Sequence, residues 1–460
     1  MTKHKLVIDI DLSAAWHRTW DIIGRIRIEH FLLFLFAVHM LQIAFPSDGS
    51  FVFDEAHYVP ASLKTLAGEA ANLEHPPLAK IIGAIGIAVL GNNWFGWRFP
   101  QVLMQIAGLY LFYLVAKRLL GGDPWALGAT MLLGLDTLFF IHGGILLLDT
   151  TSFLLGFLTI ELYFRKRYWW SAVSMGLAFF AREFPLFIFI TLAVYHFAAN
   201  RGALKKALKF GAQYALIALV VMGGLLTIYD IKYQPAISTS ITNLVNANIV
   251  MQNGTAITTI YSTSQSISKD IMWNPVQNIL FIMKYHGPGG ITINETYRSY
   301  QYAWNWILPV HISPTGMITW DTFDTATYYS VAVTVTTDGQ VKQYMAIWYR
   351  AMGNPAVWYG IWPALVALVL ALKRRQEVLP AVFILTGMLV SYLPNVALSI
   401  VTRRMGFNYF MIYVLPFVAL GIAFAWKYLL PKEYGRQVLA LNVLLALMFF
   451  LLFFPVRPMP

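Results

Sequence analysis

Eleven apolar runs, near residues 31–45, 99–117, 125–142, 145–164, 168–180, 184–199, 208–229, 356–372, 379–400, 407–428 and 437–454, are what most narrows the fold of this chain. Backbone amides inside a hydrocarbon layer find no water, so a segment that crosses it must satisfy its own hydrogen bonds, as a helix does. About 20 residues of helix span the layer. Only 12% of the 460 residues are charged, against roughly 25% in soluble domains, and the mean hydropathy is +0.60. The expected fold class is therefore an all-α polytopic membrane protein with about 11 transmembrane helices.

The positions of the charges test this reading. Lys117-Arg118, Arg165-Lys166-Arg167, Arg201 with Lys205, Lys206 and Lys209, Lys373-Arg374-Arg375, and Lys427 with Lys432 fall on alternate loops. Lys and Arg gather on the cytoplasmic side of membrane proteins, so the N terminus is expected inside and every one of these clusters with it. The net charge of +11 is thus spent in short loop clusters, which argues against a nucleic-acid partner. There is no Cys, so disulfides, thiol chemistry and Cys metal sites are excluded. The first apolar run lacks a small-residue cleavage site after it and reads as a retained span.

This topology divides the chain into four parts. Residues 1–29 are a cytoplasmic amphipathic segment expected to lie on the membrane. Residues 30–229 form an N-terminal transmembrane module whose first outer loop, 46–97, holds two helices too short to span, about 57–67 and 78–91. Residues 230–355 form an extracytoplasmic segment rich in Thr, Ser, Tyr and Trp, in which Tyr328–Thr337 followed by Asp338-Gly339 predicts a β-hairpin. Residues 356–460 are the C-terminal transmembrane helices.

The unusual charges gather on the outer side. Asp54-Glu55 is an acid pair just after the first span, where a carboxylate can act on a substrate that is half lipid. Asp54 is the candidate base, since a positioned carboxylate supplies ~10²–10⁴-fold in rate; Glu55 either orients it or holds a neighbouring loop. His75-Pro76-Pro77-Leu78 follows Glu74 and leads to Lys80. The prolines suit the first turn of a helix and would aim His75 and Lys80 at the same cleft. Asp149 stands where a helix N-cap would, yet a carboxylate at membrane depth costs up to roughly 2.5–3.5 kcal/mol and usually marks function. Arg182-Glu183 occupies an outer turn; as an isolated pair it reads as a local ion pair, and both residues are also candidate substrate-binding residues. Arg403-Arg404 places two cations on the outer side, where a lipid phosphate would match the guanidinium fork. Trp304, Trp306, Trp348, Trp358 and Trp362 read as interfacial belt aromatics, one or two of them available to stack on a sugar. Ligation of a divalent metal by Glu74 and His75 is weakly signalled, and no metal ligand set is assigned.

The order Asp54-Glu55, His75-Pro76-Pro77-Leu78-Ala79-Lys80, Arg98-Phe99-Pro100 and Ile145-Leu146-Leu147-Leu148-Asp149 resembles the dolichyl-phosphate-mannose protein O-mannosyltransferase family. So do Trp304-Asn305-Trp306, Gly353-Asn354-Pro355-Ala356-Val357-Trp358-Tyr359, and Arg403-Arg404 ahead of Phe407-Asn408-Tyr409-Phe410. The resemblance implies a GT-C fold, a polyprenyl-phosphate (dolichyl-type) sugar donor and no required cofactor. It also implies inverting transfer on the outer face of the plasma membrane, with Asp54 in the place of the family's catalytic Asp. The 230–355 segment departs from the eukaryotic family's three-repeat β-trefoil domain in length and composition. The related lipid A aminoarabinose transferases share the acid, the paired prolines and the later Asp, so a protein acceptor and a lipid or glycan acceptor both stay open. The sugar and the oligomeric state stay open as well. A non-catalytic lipid transporter would carry charges within its spans and paired broken helices; charges gathered on one outer face favour an enzyme.

Overall fold

The computed structural model describes residues 26–44, 51–182, 184–238, 248–252, 255–259, 269–271, 275–286, 303–307, 311–312, 318–319, 326–337, 340–402, 406–454 and 456–458. The amphipathic segment expected at 1–29 lies almost wholly outside them. The N-terminal half runs α1 (Ile28–Ile43), α2 (Glu55–Leu66), α3 (Leu78–Leu90), α4 (Trp94–Leu120), α5 (Asp123–Gly134), α6 (Thr137–Gly143), α7 (Asp149–Phe164), α8 (Tyr168–Phe179), α9 (Pro185–Ala199) and α10 (Leu204–Tyr233). After α11 (Pro275–His286) and a 3₁₀ turn at Ala303–Trp306, the chain returns to the bundle through α12 (Pro355–Trp358), α13 (Ile361–Lys373), α14 (Val378–Thr402), α15 (Leu415–Leu429) and α16 (Lys432–Leu452).

Local chemistry sets these boundaries. Asn93 caps α4, its side-chain oxygen accepting from the Phe95 and Gly96 amides at 3.0 Å each. Lys117 and Arg118 close the same helix before Gly121, which adopts a left-handed φ of 70°, so cations meet the negative end of the helix dipole. The two short outer-loop helices are present as α2 and α3. In the 230–355 segment, strands Ala326–Thr337 and Gln340–Met352 pair antiparallel with Thr337 opposite Gln340, which is the expected hairpin; the turn residues 338–339 lie outside the described set.

Each of the eleven apolar runs carries helix, but not eleven full spans. Five described helices are long and apolar enough to cross a bilayer: Trp94–Leu120, Leu204–Tyr233, Pro355–Lys373, Val378–Val401 and Lys432–Leu452. Asp123–Gly134 with Thr137–Gly143 makes a sixth if a pair bent by 75° counts as one. Two runs depart from straight spans for visible reasons. The run at 125–142 breaks at Asp136, whose carboxylate accepts from the Phe139 amide and starts a new helix. The run at 145–164 yields its first four residues, Ile145 to Leu148, to a buried non-helical loop.

A polar knot holds the break open. Asp136 is fully buried and also accepts from the Asn354 amide at 2.9 Å and the Trp358 indole at 3.0 Å. The Asn354 side chain donates to the Leu135 and Ala446 carbonyls and caps α12 through the Ala356 amide. Trp358 is thus a buried structural residue and not a belt aromatic. Gly353 is confined by the same indole, since a Cβ there would lie 2.0 Å from its ring.

Asn354→Ala should leave the buried Leu135 carbonyl without its side-chain donor, at about 1–3 kcal/mol, and take a second bond from the Ala446 carbonyl, which its own helix still satisfies. The expected result is a clear fall in the thermal midpoint of the detergent-purified protein, with no change for Asn200→Ala on the exposed surface. Equal midpoints for both variants would remove the knot from the account.

Candidate active site

Asp54 and Glu55 begin α2, and a helix turns about 100° per residue, so neighbouring acids cannot face the same way. Glu55 points into the bundle. Both its side chain and that of Arg98 are 0% exposed. The Arg98 guanidinium donates through Nε to Glu55 Oε1 at 2.8 Å and through Nη2 to Oε2 at 2.7 Å. The same carboxylate accepts from the Val52 amide at 2.9 Å and the Leu146 amide at 3.1 Å. Arg98 Nη1 donates to the Ile43 carbonyl at 3.2 Å. Glu55 therefore holds neighbouring loops, one of the two roles expected of it, and does so through contacts that leave it no direct part in proton transfer.

Asp54 faces the other way, half-buried, and its carboxyl makes no hydrogen bond with any described residue. Burial pushes its pKa above the ordinary 3.8, while His57, Arg182 and His142 pull it down and Asp149 pushes it up. Tyr58, on the next turn, is buried and its phenol is held well above 10.0, so it is neutral.

Opposite Asp54 lies a cluster drawn from four elements. Asp149 is the first residue of α7, but its side chain does not cap the helix. It accepts instead from Arg182 Nη1 at 2.5 Å and the Tyr413 hydroxyl at 2.5 Å, with His142 Nδ1 at 3.0 Å from its second oxygen. The Arg182 guanidinium lies 5.3 Å from the centre of the Tyr413 ring, which stacks on Phe184 at 4.6 Å. Arg182 thus pairs with Asp149, a partner other than the neighbouring Glu183 expected from the sequence. Glu183 lies outside the described residues, as do Arg403 and Arg404. The segment that follows those arginines does reach the site, for Tyr409 packs against Phe53 at 5.6 Å and His142 at 6.2 Å.

The Pro-Pro loop departs from expectation. Lys80 does not face a cleft with Asp54: its ammonium is buried and donates to the carbonyls of Asn72 (a short contact), His75 (2.8 Å) and Ala71 (3.3 Å). Burial pushes its pKa down to about 7, against the pull of Glu74. Lys80 therefore ties residues 71–75 into a compact loop. The physical reason is position: it lies on the buried face of α3, one turn after Pro77, directly beneath that loop. His75 stays near the site through an edge contact with Tyr58, 5.9 Å between rings. Glu74 accepts from Asn72 at 2.7 Å, and no group of three metal-ligating side chains occurs among the described residues.

Sequence reasoning missed three contributors. Arg98 is a cation within an apolar element, and that placement alone was a usable signal. His142 and Tyr413 carry none, because nothing local marks a His at the end of an apolar run or one Tyr among many.

The helical bundle that carries this site has the GT-C architecture. It covers 90% of this chain when compared with ArnT from Cupriavidus metallidurans bound to undecaprenyl phosphate (TM-score 0.52, 13% identity, 63% of that chain). It covers 93% in comparison with the Saccharomyces cerevisiae Pmt1-Pmt2 complex bound to the sugar donor (TM-score 0.56, 11% identity, 89% of that chain). Residues 74–226 match the family model for dolichyl-phosphate-mannose-protein mannosyltransferase, and the chain is an integral membrane protein of the GT-C fold. A polyprenol-phosphate-mannose--protein mannosyltransferase of Mycobacterium tuberculosis is 32% identical over 118 residues, 24% of this chain and 22% of the relative. One of Mycolicibacterium smegmatis is 28% identical over 148 residues, 30% and 27%. The matched part is about a quarter of each curated relative's length.

Glu55→Ala strands Arg98 as a buried unpaired charge, and removing one partner of such a pair costs about 3–5 kcal/mol. We expect a large drop in thermal midpoint for Glu55→Ala and almost none for Asp54→Asn, whose carboxyl bonds to nothing described. Similar drops would contradict the division of labour between the two acids.

Proposed function

We propose that the protein is a polyprenyl-phosphate-dependent glycosyltransferase that moves a sugar, mannose by its likeness to the named relatives, onto Ser or Thr hydroxyls of proteins. The observation that carries this is the unbonded, half-buried Asp54 carboxyl facing an arginine whose position is fixed by Asp149 and Tyr413. In this reading the acceptor hydroxyl donates its proton to Asp54 as its oxygen attacks the sugar's anomeric carbon from the face opposite the leaving phosphate. The carbon–oxygen bond to the lipid phosphate breaks, the configuration inverts, and the polyprenyl phosphate departs with the electron pair. Arg182 is placed to offset the phosphate's charge, and Arg403 and Arg404 are proposed to assist from the sequence segment that leads into Tyr409. His75 borders the acceptor side through Tyr58. The membrane is proposed to be the plasma membrane, with the N terminus cytoplasmic and the acid end of the bundle outside.

A second reading, the same donor chemistry on a lipid or glycan acceptor, draws support from the fold shared with ArnT. The two separate in one assay: purified protein with labelled polyprenyl-phosphate mannose and either a Ser/Thr-rich peptide or a lipid acceptor. Asp54→Asn is expected to lower transfer at least ~10²-fold while donor binding persists. Transfer to lipid but not peptide would select the second reading, and undiminished transfer by Asp54→Asn would remove Asp54 as the base.

The pH dependence follows from the raised carboxyl. Asp54 acts only when ionised, so kcat/KM should climb with pH through an acid limb centred above 3.8, the ordinary value. Replacing Arg182 by Gln removes a charge that favours ionisation, so the limb should move to higher pH. A limb that stays in place or moves lower would show that Arg182 does not act on Asp54.

A further inference from the structure

At the end of the bundle away from Asp54, α7, α9 and α10 enclose a cavity of about 210 Å³. Asp149 and Tyr163 stand at opposite ends of α7, ~21 Å apart at 1.5 Å per residue, so this cavity is separate from the active site. Its walls are Tyr163, Phe189, His196, Phe197, Phe210 and Tyr214, with the exposed Leu208 at the rim. One polar pair sits among the rings: the Tyr163 hydroxyl bonds to His196 Nδ1 at 2.7 Å, and the His196 ring stacks on Phe210 at 4.1 Å. Phe197 is 48% exposed, so the cavity opens sideways, towards the surrounding lipid.

The segment that joins α9 to the first turns of α10 carries charge of one sign. Arg201, Lys205, Lys206 and Lys209 are exposed, and the segment from Asn200 to Gly211 contains no Asp or Glu. No ion pair is recorded for these four among the described residues, and the first turn of α10 carries no acid. The lysines stand where the helix dipole is already positive, so the fold gives them no compensation. Glu161, the carboxylate at this end of α7, is taken by Arg118 at 2.9 Å and Arg165 at 2.7 Å. Tyr168 packs on Phe210 at 4.9 Å, and Trp169 and Trp170 beside it are exposed, the aromatic placement typical of headgroup depth.

We propose that this cavity binds an acidic phospholipid, one acyl chain entering between α9 and α10 and the phosphate attracted by the basic segment that leads into α10, with Lys205, Lys206 and Lys209. An apolar slot open to the bilayer accepts a chain, and the cluster above it lacks only an anion. A zwitterionic headgroup would leave that cluster uncompensated. The site is independent of the transfer reaction and of the reading of Asp54.

The test uses full-length protein reconstituted with phosphatidylglycerol, phosphatidylcholine and a polyprenyl phosphate in equal amounts, extracted gently and weighed with its retained lipids by native mass spectrometry. Wild type is expected to keep one phosphatidylglycerol in preference to phosphatidylcholine. Replacing Lys205, Lys206 and Lys209 together by Gln should weaken phosphatidylglycerol binding on the order of a hundredfold, at ~1 kcal/mol per basic residue. Gly211→Leu should abolish retention by filling the cavity; no atom lies within 4 Å of a Cβ at Gly211, so the thermal midpoint should hold. Equal retention of the two phospholipids, preference for the polyprenyl phosphate at this site, or unchanged retention in the two variants would each overturn the proposal.

Discussion

The Glu55–Arg98 pair is the interaction on which the acid end of this bundle depends. Two charges that are 0% exposed carry a desolvation penalty of several kcal/mol each, which a single contact does not offset. Here the offset comes from number and geometry. Glu55 accepts four hydrogen bonds, two from the guanidinium fork and two from the amides of Val52 and Leu146. Arg98 adds the Ile43 carbonyl. The pair therefore joins the end of α1, the start of α2, α4 and the loop before α7. A buried loop such as Ile145–Leu148 would otherwise leave amides without partners at membrane depth; Glu55 supplies one of those partners.

The Asp136 knot does the complementary work from the other direction. Its carboxylate ends α5, starts α6 and binds the C-terminal half through Asn354 and Trp358. The 75° turn that results lets α6 run across the bundle, which is what brings His142 to Asp149. A straight helix over 125–142 would have carried His142 past the site. Two buried carboxylates, each spent on shape, thus position a third that belongs to the site.

Much of this was legible in the sequence because it is written in period and charge. The two short helices after the first run, the hairpin, and Asp54 and Asp149 as carboxylates set beside apolar runs followed from run length, turn residues and the cost of charge near lipid. What stayed hidden depends on contacts between distant segments. Lys80 and Arg98 are both cations near helix starts, and nothing local says that one meets carbonyls and the other a carboxylate. Trp358 reads as a belt aromatic until Asp136, 222 residues away, is known to accept from its indole. The break at Asp136 stayed hidden for the same reason, since a hydropathy run cannot distinguish one straight helix from two joined at a bend.

In the proposed reaction, the division among Asp54, Glu55 and Asp149 is what singles out Asp54 as the base. A carboxylate that already accepts from Arg gains little by taking a proton, and would lose its ion pair on doing so. Glu55 is in that position through Arg98, and Asp149 through Arg182 with Tyr413 and His142. Asp54 is the one left without such a bond among the described residues, and its partial burial makes the protonated form cheaper than in water. His57 and Arg182 oppose that effect, pulling the carboxyl back towards its ionised form. Asp149, by anchoring Arg182, sets how strongly that arginine acts on Asp54 as well as where it stands for a departing phosphate. The acid and the cation are therefore coupled through a residue that need touch neither substrate.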